Sequence, residues 1–269
     1  NKYKHLIIVP SLNISTLPIA AFKINNNYLI DLMSYSIAPS LFELMVSDKI
    51  NNSHNSSQVS YTWYNALFVA NPNYPESSIW QFPDLPGTID EVESITKNFN
   101  PSTFKKLIGD QATKPQITNN ICDYDLLYFA THGISNSENP MQNSFLVLTD
   151  SQNESPYLSL AEIMNWRYKC KLNADLVVLS ACQTGLGKSH EGGIIGLARS
   201  FQIAGANHVL MSLWNIDDFQ TANLMKLFFD ELEIAQELMP HEALRQAILK
   251  YKRQISSNPR YWAAFSIFG

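Results

Sequence analysis

The chain is short of charge, of cysteine and of long apolar runs, and each shortage removes a class of protein. Only 16% of its 269 residues are charged, with 19 Lys and Arg against 24 Asp and Glu for a formal net charge of −5. The basic residues are scattered rather than gathered into a stripe, so no direct nucleic-acid partner is expected. No run approaches the roughly 20 apolar residues that a membrane span needs. The first residues hold no basic segment leading into an apolar stretch, so neither a membrane partner nor an export signal is expected. Three cysteines, Cys122, Cys170 and Cys182, form no C-x-x-C pair. Their odd number argues against a disulfide framework and for a reducing, cytoplasmic setting. Cys122 and Cys170 have no partners at ligand spacing, and the adjacent His190 and Glu191 cannot share one helical face, so no metal and no cofactor is expected. The remaining histidines, His5, His54, His208 and His241, read as incidental. The chain opens on Asn1 and runs at once into HLIIVP, which reads as a domain excised from a longer protein with upstream regulatory parts.

What is present is a strongly patterned apolar content, 45% of all residues. Residues 1–48 read as short strands followed by a helix from Ser40, and NNSHNSSQVS at 51–60 reads as a solvated loop. Strand YNALFVAN leads through the Pro-rich loop PNYPESSIWQFPDLPG into a helix, where Thr88 and Glu91 have the T-x-x-E spacing of a capping box. From about residue 104 strands and helices alternate regularly to the end. LLYFA and LVVLS are continuous apolar runs rather than alternating ones, so both faces of these strands should be covered. That predicts a three-layer α/β fold with a mainly parallel sheet between helices, whose chemistry gathers beyond the carboxyl ends of the strands. In HEALRQAILKYKRQI, the residues Ala243, Leu244, Ala247, Ile248, Tyr251 and Ile255 form one apolar face.

Two strands end in reactive side chains, LLYFATHG at His132 and LVVLSAC at Cys182. The interval leaves room for a crossover that sets both ends on the same rim. A free thiol has a pKa of about 8.5, and a neighbouring imidazole takes its proton or steadies the thiolate. Gly133 lets a substrate carbonyl approach, and its N–H with that of Cys182 would form an oxyanion hole, worth roughly 3 to 4 kcal/mol per donor. The plain alternative makes Cys182 a small buried residue and His132 a core histidine. A second alternative is a phosphate-binding loop at GLGKS. Gly187, Lys188 and Ser189 supply its end, but Cys182 stands where the first glycine belongs, and the helical pattern resumes only near Gly193 rather than at the Lys-Ser pair. In SLWNIDD, Asp217 or Asp218 would cap the next helix. The other possibility is that they line a pocket for a basic side chain beside the nucleophile.

ATHG, LSACQTGLG, GLARSFQIAGANHVLMSLWNIDD and the terminal ALRQAI with NPRYWAAFSIFG together resemble the CHAT domain, a caspase-like cysteine peptidase often joined to tetratricopeptide repeats. The likeness is close over residues 104–269 and looser before them. It implies a caspase-hemoglobinase fold with His132 as base, Cys182 as nucleophile, and the Gly133 and Cys182 amides as oxyanion donors. It also implies an N-terminal pseudo-caspase part at 1–99, which lacks any such pair, ahead of a catalytic part at 100–269. CHAT domains are related to separase, where a motif similar to LWNIDD lends an acid to the pocket for a basic residue. Carried over by position, that acid is Asp218, with Asp217 beside it. The implied function is a regulated cysteine endopeptidase acting on a specific partner protein. Its control would come from upstream tetratricopeptide or other domains, in settings such as CRISPR-associated or gasdermin-linked antiviral defence. The competing readings are an interaction module with an idle dyad and, more remotely, a P-loop nucleotide hydrolase.

Overall fold

A computed structural model describes residues 3–10, 17–38, 40, 41, 63, 65–77, 80–97, 99–136, 138–151, 154–180, 191–234 and 238–269. The segments expected as a helix after Ser40 and as a polar loop at 51–60 lie almost wholly outside them.

The strands and helices follow the hydrophobic pattern. Early elements are β1 (His5–Ile8), the hairpin β2 (Lys23–Ile24) and β3 (Asn27–Tyr28), the single turn α1 (Leu29–Leu32) and β4 (Ser34–Ile37). The central run is β5 (Ala66–Pro72), α2 (Gly87–Thr96), β6 (Phe104–Gly109), α3 (Lys114–Thr118) and β7 (Leu126–Ala130). After it come β8 (Gly133–Ile134), α4 (Pro140–Asn143), β9 (Phe145–Val147), β10 (Tyr157–Ser159) and α5 (Leu160–Lys169). The chain closes with β11 (Leu176–Leu179), α6 (Glu191–Ala204), β12 (His208–Ser212), α7 (Asp218–Ile234), α8 (Pro240–Gln254), α9 (Pro259–Trp262) and β13 (Phe265–Phe268).

Eight strands make one sheet in the order β1-β4-β13-β12-β11-β7-β5-β6, parallel throughout except where β13 runs against β12. Every residue of β7 and β11 is buried, as continuous apolar runs demand of strands covered on both sides. Neighbouring residues of a strand point to opposite faces, and Tyr128 meets Phe229 of α7 while Phe129 meets Phe201 of α6. Helices α2, α7 and α8 therefore cover one face, and α5 with α6 covers the other. On α8 the predicted face is buried from Ala243 to Tyr251, whereas Ile255 is exposed because the helix ends at Gln254.

Strands from both sides of residue 99 share one sheet. Strand β5 and helix α2 precede it, yet β5 lies between β6 and β7 in the sheet that carries His132. Parallel strands gain partners on both sides wherever the crossovers deliver them, so order in the sheet departs from order in the chain. The cysteines hold a correction, since Cys122 and Cys170 form a disulfide with Cα atoms 6.2 Å apart. An odd count excludes a framework that pairs every thiol, but one bridge and one further cysteine also make three. The bridge sits before β7 and β11, at the sheet end opposite His132. Among the described residues, no helix is long and apolar enough to cross a membrane.

Candidate active site

In a parallel sheet each crossover helix starts near the carboxyl end of the strand before it, so helix N-termini and strand ends share one rim. At that rim β7 and β11 are direct neighbours, with Leu179 beside Phe129, and the Ser180 N–H donates to the Phe129 carbonyl at 3.0 Å. His132 lies two residues beyond β7 and is fully buried. Cys182 and the GLGKS stretch through Gly187, Lys188 and Ser189 lie outside the described residues, but Ser180, two positions before Cys182, is the last residue described on that strand end. Helix α6 is described from Glu191 to Ala204.

The ring of His132 is fixed by the Pro-rich loop between β5 and α2. Its Nε2 lies 2.7 Å from the Pro83 carbonyl oxygen, and a carbonyl only accepts, so Nε2 carries the hydrogen. In the neutral ring Nδ1 is then the basic nitrogen. Tyr74 and Phe82 pack against the imidazole at 4.6 and 5.6 Å between ring centroids. The loop is tied down by its own polar groups. The Leu85 N–H donates to the Asn71 side chain at 2.7 Å, and the Asn73 N–H donates to Thr149 Oγ1 at 2.9 Å. Its aromatic residues Tyr74, Trp80 and Phe82 cover Ile134, Phe145 and Val147 in the small antiparallel sheet β10-β9-β8. The same residues line a cavity of about 580 Å³ with Glu76 and Pro83.

Gly133 opens β8 opposite Leu146. The neighbouring ladder bond runs from the Val147 N–H to the His132 carbonyl at 2.9 Å, which puts Gly133 at a position where its own N–H points away from β9. The two aspartates divide their tasks. Asp217 Oδ1 accepts from the N–H groups of Phe219 and Gln220 at 3.1 and 3.4 Å and caps α7. Asp218 turns toward the site, where burial and then the charge of Asp217 raise its carboxyl pKa, while His132 lowers it. It also meets the start of α2 so closely that a methyl group on Gly87 would stand 2.6 Å from its Cβ.

The capping box expected at Thr88 and Glu91 does not form. Helix α2 starts at Gly87, Thr88 Oγ1 donates to the Leu85 carbonyl at 2.7 Å, and Glu91 points into the core. There its Oε1 accepts hydrogen bonds from Tyr128 and Ser180. Burial, with a smaller contribution from the charge of Asp218, pushes the Glu91 carboxyl up to about 7 against the opposing effect of these bonds. Pro83, Glu91, Tyr128 and Ser180 escaped the sequence reading. A signal existed for Glu91, which falls on the stripe Thr88, Val92, Ile95 that α2 buries.

A profile for the CHAT domain matches residues 1–269, the whole sequence. The chain belongs to the CHAT domain family. This CHAT domain is 24% identical to human tetratricopeptide repeat protein 28 over 311 aligned residues, which take in all of this chain and 12% of that protein. The mouse protein of the same name is 22% identical, also over 12% of its length. The chain thus spans about an eighth of the curated relatives it matches. Among solved structures, the Saccharomyces cerevisiae separase–securin complex superposes with a TM-score of 0.60 at 19% identity, over 94% of this chain and 14% of that one. The Arg-specific cysteine proteinase gingipain R superposes with a TM-score of 0.50 at 8% identity, over 88% of this chain and 54% of that one. The CHAT domain described here therefore has a caspase-like fold.

Proposed function

We propose that this CHAT domain is a cysteine endopeptidase module of a longer, tetratricopeptide-associated protein, with Cys182 as nucleophile and His132 as base. One observation carries the reading. A fully buried histidine at the rim has its Nε2 proton committed to a backbone carbonyl, beside the strand that leads into Cys182. A tautomer fixed in this way leaves Nδ1 as the basic nitrogen that a general base needs.

The His132 ring takes the thiol proton, and the sulfur attacks the scissile carbonyl carbon to form a C–S bond. The carbonyl electron pair moves onto oxygen, where the N–H groups of Gly133 and Cys182 stabilise it. The imidazolium passes its proton to the amide nitrogen, the C–N bond breaks, and an amine leaves behind a thioester. Water, deprotonated by the same ring, then attacks the thioester; the C–S bond breaks and the thiolate regains the proton. Asp218 supplies negative charge beside His132, suited to an Arg or Lys side chain before the cut. Gingipain R, of like fold, is Arg-specific by its description.

The test is a peptide library presented to the protein and to Cys182→Ala and Asp218→Asn. The first variant should lose all turnover. The second should lose its preference for basic residues by about tenfold or more, the scale of removing one charged partner. Cleavage that survives Cys182→Ala overturns the peptidase reading, and a native protein that turns over no peptide leaves an interaction module with an idle dyad. A titration of ATP in which binding disappears with Lys188→Ala would revive the nucleotide reading.

A further inference from the structure

Glu91 is a buried acid that the peptidase reading does not use. It is 1% exposed, and among the described residues no Lys or Arg forms an ion pair with it. A carboxyl group in such a place is destabilising unless its oxygens are hydrogen-bonded, and helix α2 could have carried an apolar residue there at less expense. Its two partners come from the two strands of the dyad. Tyr128 lies on β7, four residues before His132, and Ser180 follows β11, two residues before Cys182. Both hydroxyls converge on the same oxygen, Oε1.

The groups facing Glu91 are few. From β7 comes Tyr128, whose hydroxyl is held well above its ordinary pKa by burial and then by the Glu91 charge itself. From the end of β11 comes Ser180, and from α7 comes Asp218, whose charge disfavours ionisation of Glu91. Strand β5, which packs on α2, contributes no titratable side chain. The carboxylate form receives both hydroxyl bonds as charge-assisted bonds, roughly twice as strong as those to the neutral acid. The clamp is therefore tight when Glu91 is ionised and slack when it is protonated.

We propose that Glu91 is a positioning residue for the cysteine–histidine pair, holding the ends of the two dyad strands to helix α2 through Ser180 and Tyr128, with a grip set by its own protonation. This inference rests on the peptidase reading and adds to it a proton-controlled support beneath the dyad.

The experiment follows alkylation of Cys182 by iodoacetamide from pH 5 to 9, read by mass spectrometry of the Cys182 peptide, because this reports on the thiol whether or not a substrate is known. The native profile should show an inflection near neutral pH in addition to that of the thiol. Glu91→Gln keeps an acceptor and cannot ionise, so it should retain most of the reactivity and lose that inflection. Glu91→Ala should react about ten- to a hundredfold more slowly, the scale of misplacing a reacting group. Should Glu91→Ala fail to fold, Ser180→Ala and Tyr128→Phe each remove one arm of the clamp and should slow alkylation in the same sense. Superimposable profiles for native and Glu91→Gln protein overturn the proposal and leave the peptidase reading standing. A native Cys182 that titrates as an isolated thiol near pH 8.5 removes both.

Discussion

His208 offers the most direct test of how burial shapes this protein. It begins β12, is half-buried, and burial lowers its pKa from 6.5 to about 4. His241 is lowered to about 3, by burial first and then by the charges of His5 and His208, and its ring lies 3.7 Å from that of His5. Replacing His208 with Gln removes one titration and keeps a polar side chain of similar reach. In the unfolded chain a histidine binds its proton below about pH 6.5, whereas folded His208 stays neutral until about pH 4. Stability from this group is thus complete above pH 6.5 and is lost as pH falls toward 4. At pH 5 this group shifts the balance toward the unfolded state by about 2 kcal/mol, since each pH unit below 6.5 is worth about 1.36 kcal/mol. Glu91 acts in the opposite sense, because its raised pKa favours the folded state as pH falls from about 7 toward 4.5, so the absolute stability curve mixes the two. The difference between native and variant isolates His208. Urea unfolding midpoints at pH 7.5, 6.5, 5.5 and 5.0 should show the native protein losing about 2 kcal/mol relative to His208→Gln between the extremes. Parallel curves would falsify the argument that burial, rather than a hydrogen-bond partner taken over by Gln, governs this histidine.

Gly87→Ala should press α2 away from α7, since the added methyl would meet Asp218 Cβ, an atom that moves only with its backbone, at 2.6 Å; the thermal midpoint should fall and peptide profiling should show a weakened preference for basic residues. Asp217→Ala should lower stability by about 1 kcal/mol through loss of the α7 cap while leaving that preference intact. Replacing both Cys122 and Cys170 with Ser opens a link between residues 48 apart and should lower stability by up to about 4 kcal/mol in chemical denaturation, with the pH profile of Cys182 alkylation unmoved.

The sheet was legible because its signal is local and redundant. LLYFA and LVVL are apolar at every position, and nothing but a strand buried on both faces satisfies that run at that length. His132 was legible for a related reason, since it is a polar residue set immediately beyond such a strand. Glu91 was misread although its stripe of Thr88, Val92 and Ile95 was visible, because T-x-x-E spacing offers the same glutamate a role at the helix end. Pro86 at the cap position settles the matter, starting the helix two residues too early for Thr88 to cap it. The bond from His132 to Pro83 could not have been found in the sequence, because any residue supplies a backbone carbonyl and only the path of the loop decides which one arrives. The same holds for Cys122 and Cys170, whose pairing depends on two crossovers that return to one end of the sheet.

The acids at the rim lead to a consequence that neither strand nor loop states alone. Glu91 and Asp218 are each raised by burial and by a neighbouring acid, and among the described residues neither forms an ion pair. A guanidinium or ammonium arriving beside Asp218 offsets the smaller, electrostatic part of what raises the Glu91 carboxyl, whose first cause is burial. Binding of a basic side chain is then linked to loss of a proton, the reverse face of the same electrostatic term. The Glu91 carboxyl, which titrates at about 7, then gives up part of its proton as the peptide binds. Calorimetric titration of an Arg-containing peptide into Cys182→Ala protein, run in phosphate and in Tris, reads this directly as a buffer-dependent heat. Glu91→Gln in the same background should abolish most of the difference. Equal heats in both buffers, or net proton uptake, would show that the charge at Asp218 does not reach Glu91. Glu91 would then be insulated from whatever binds beside Asp218.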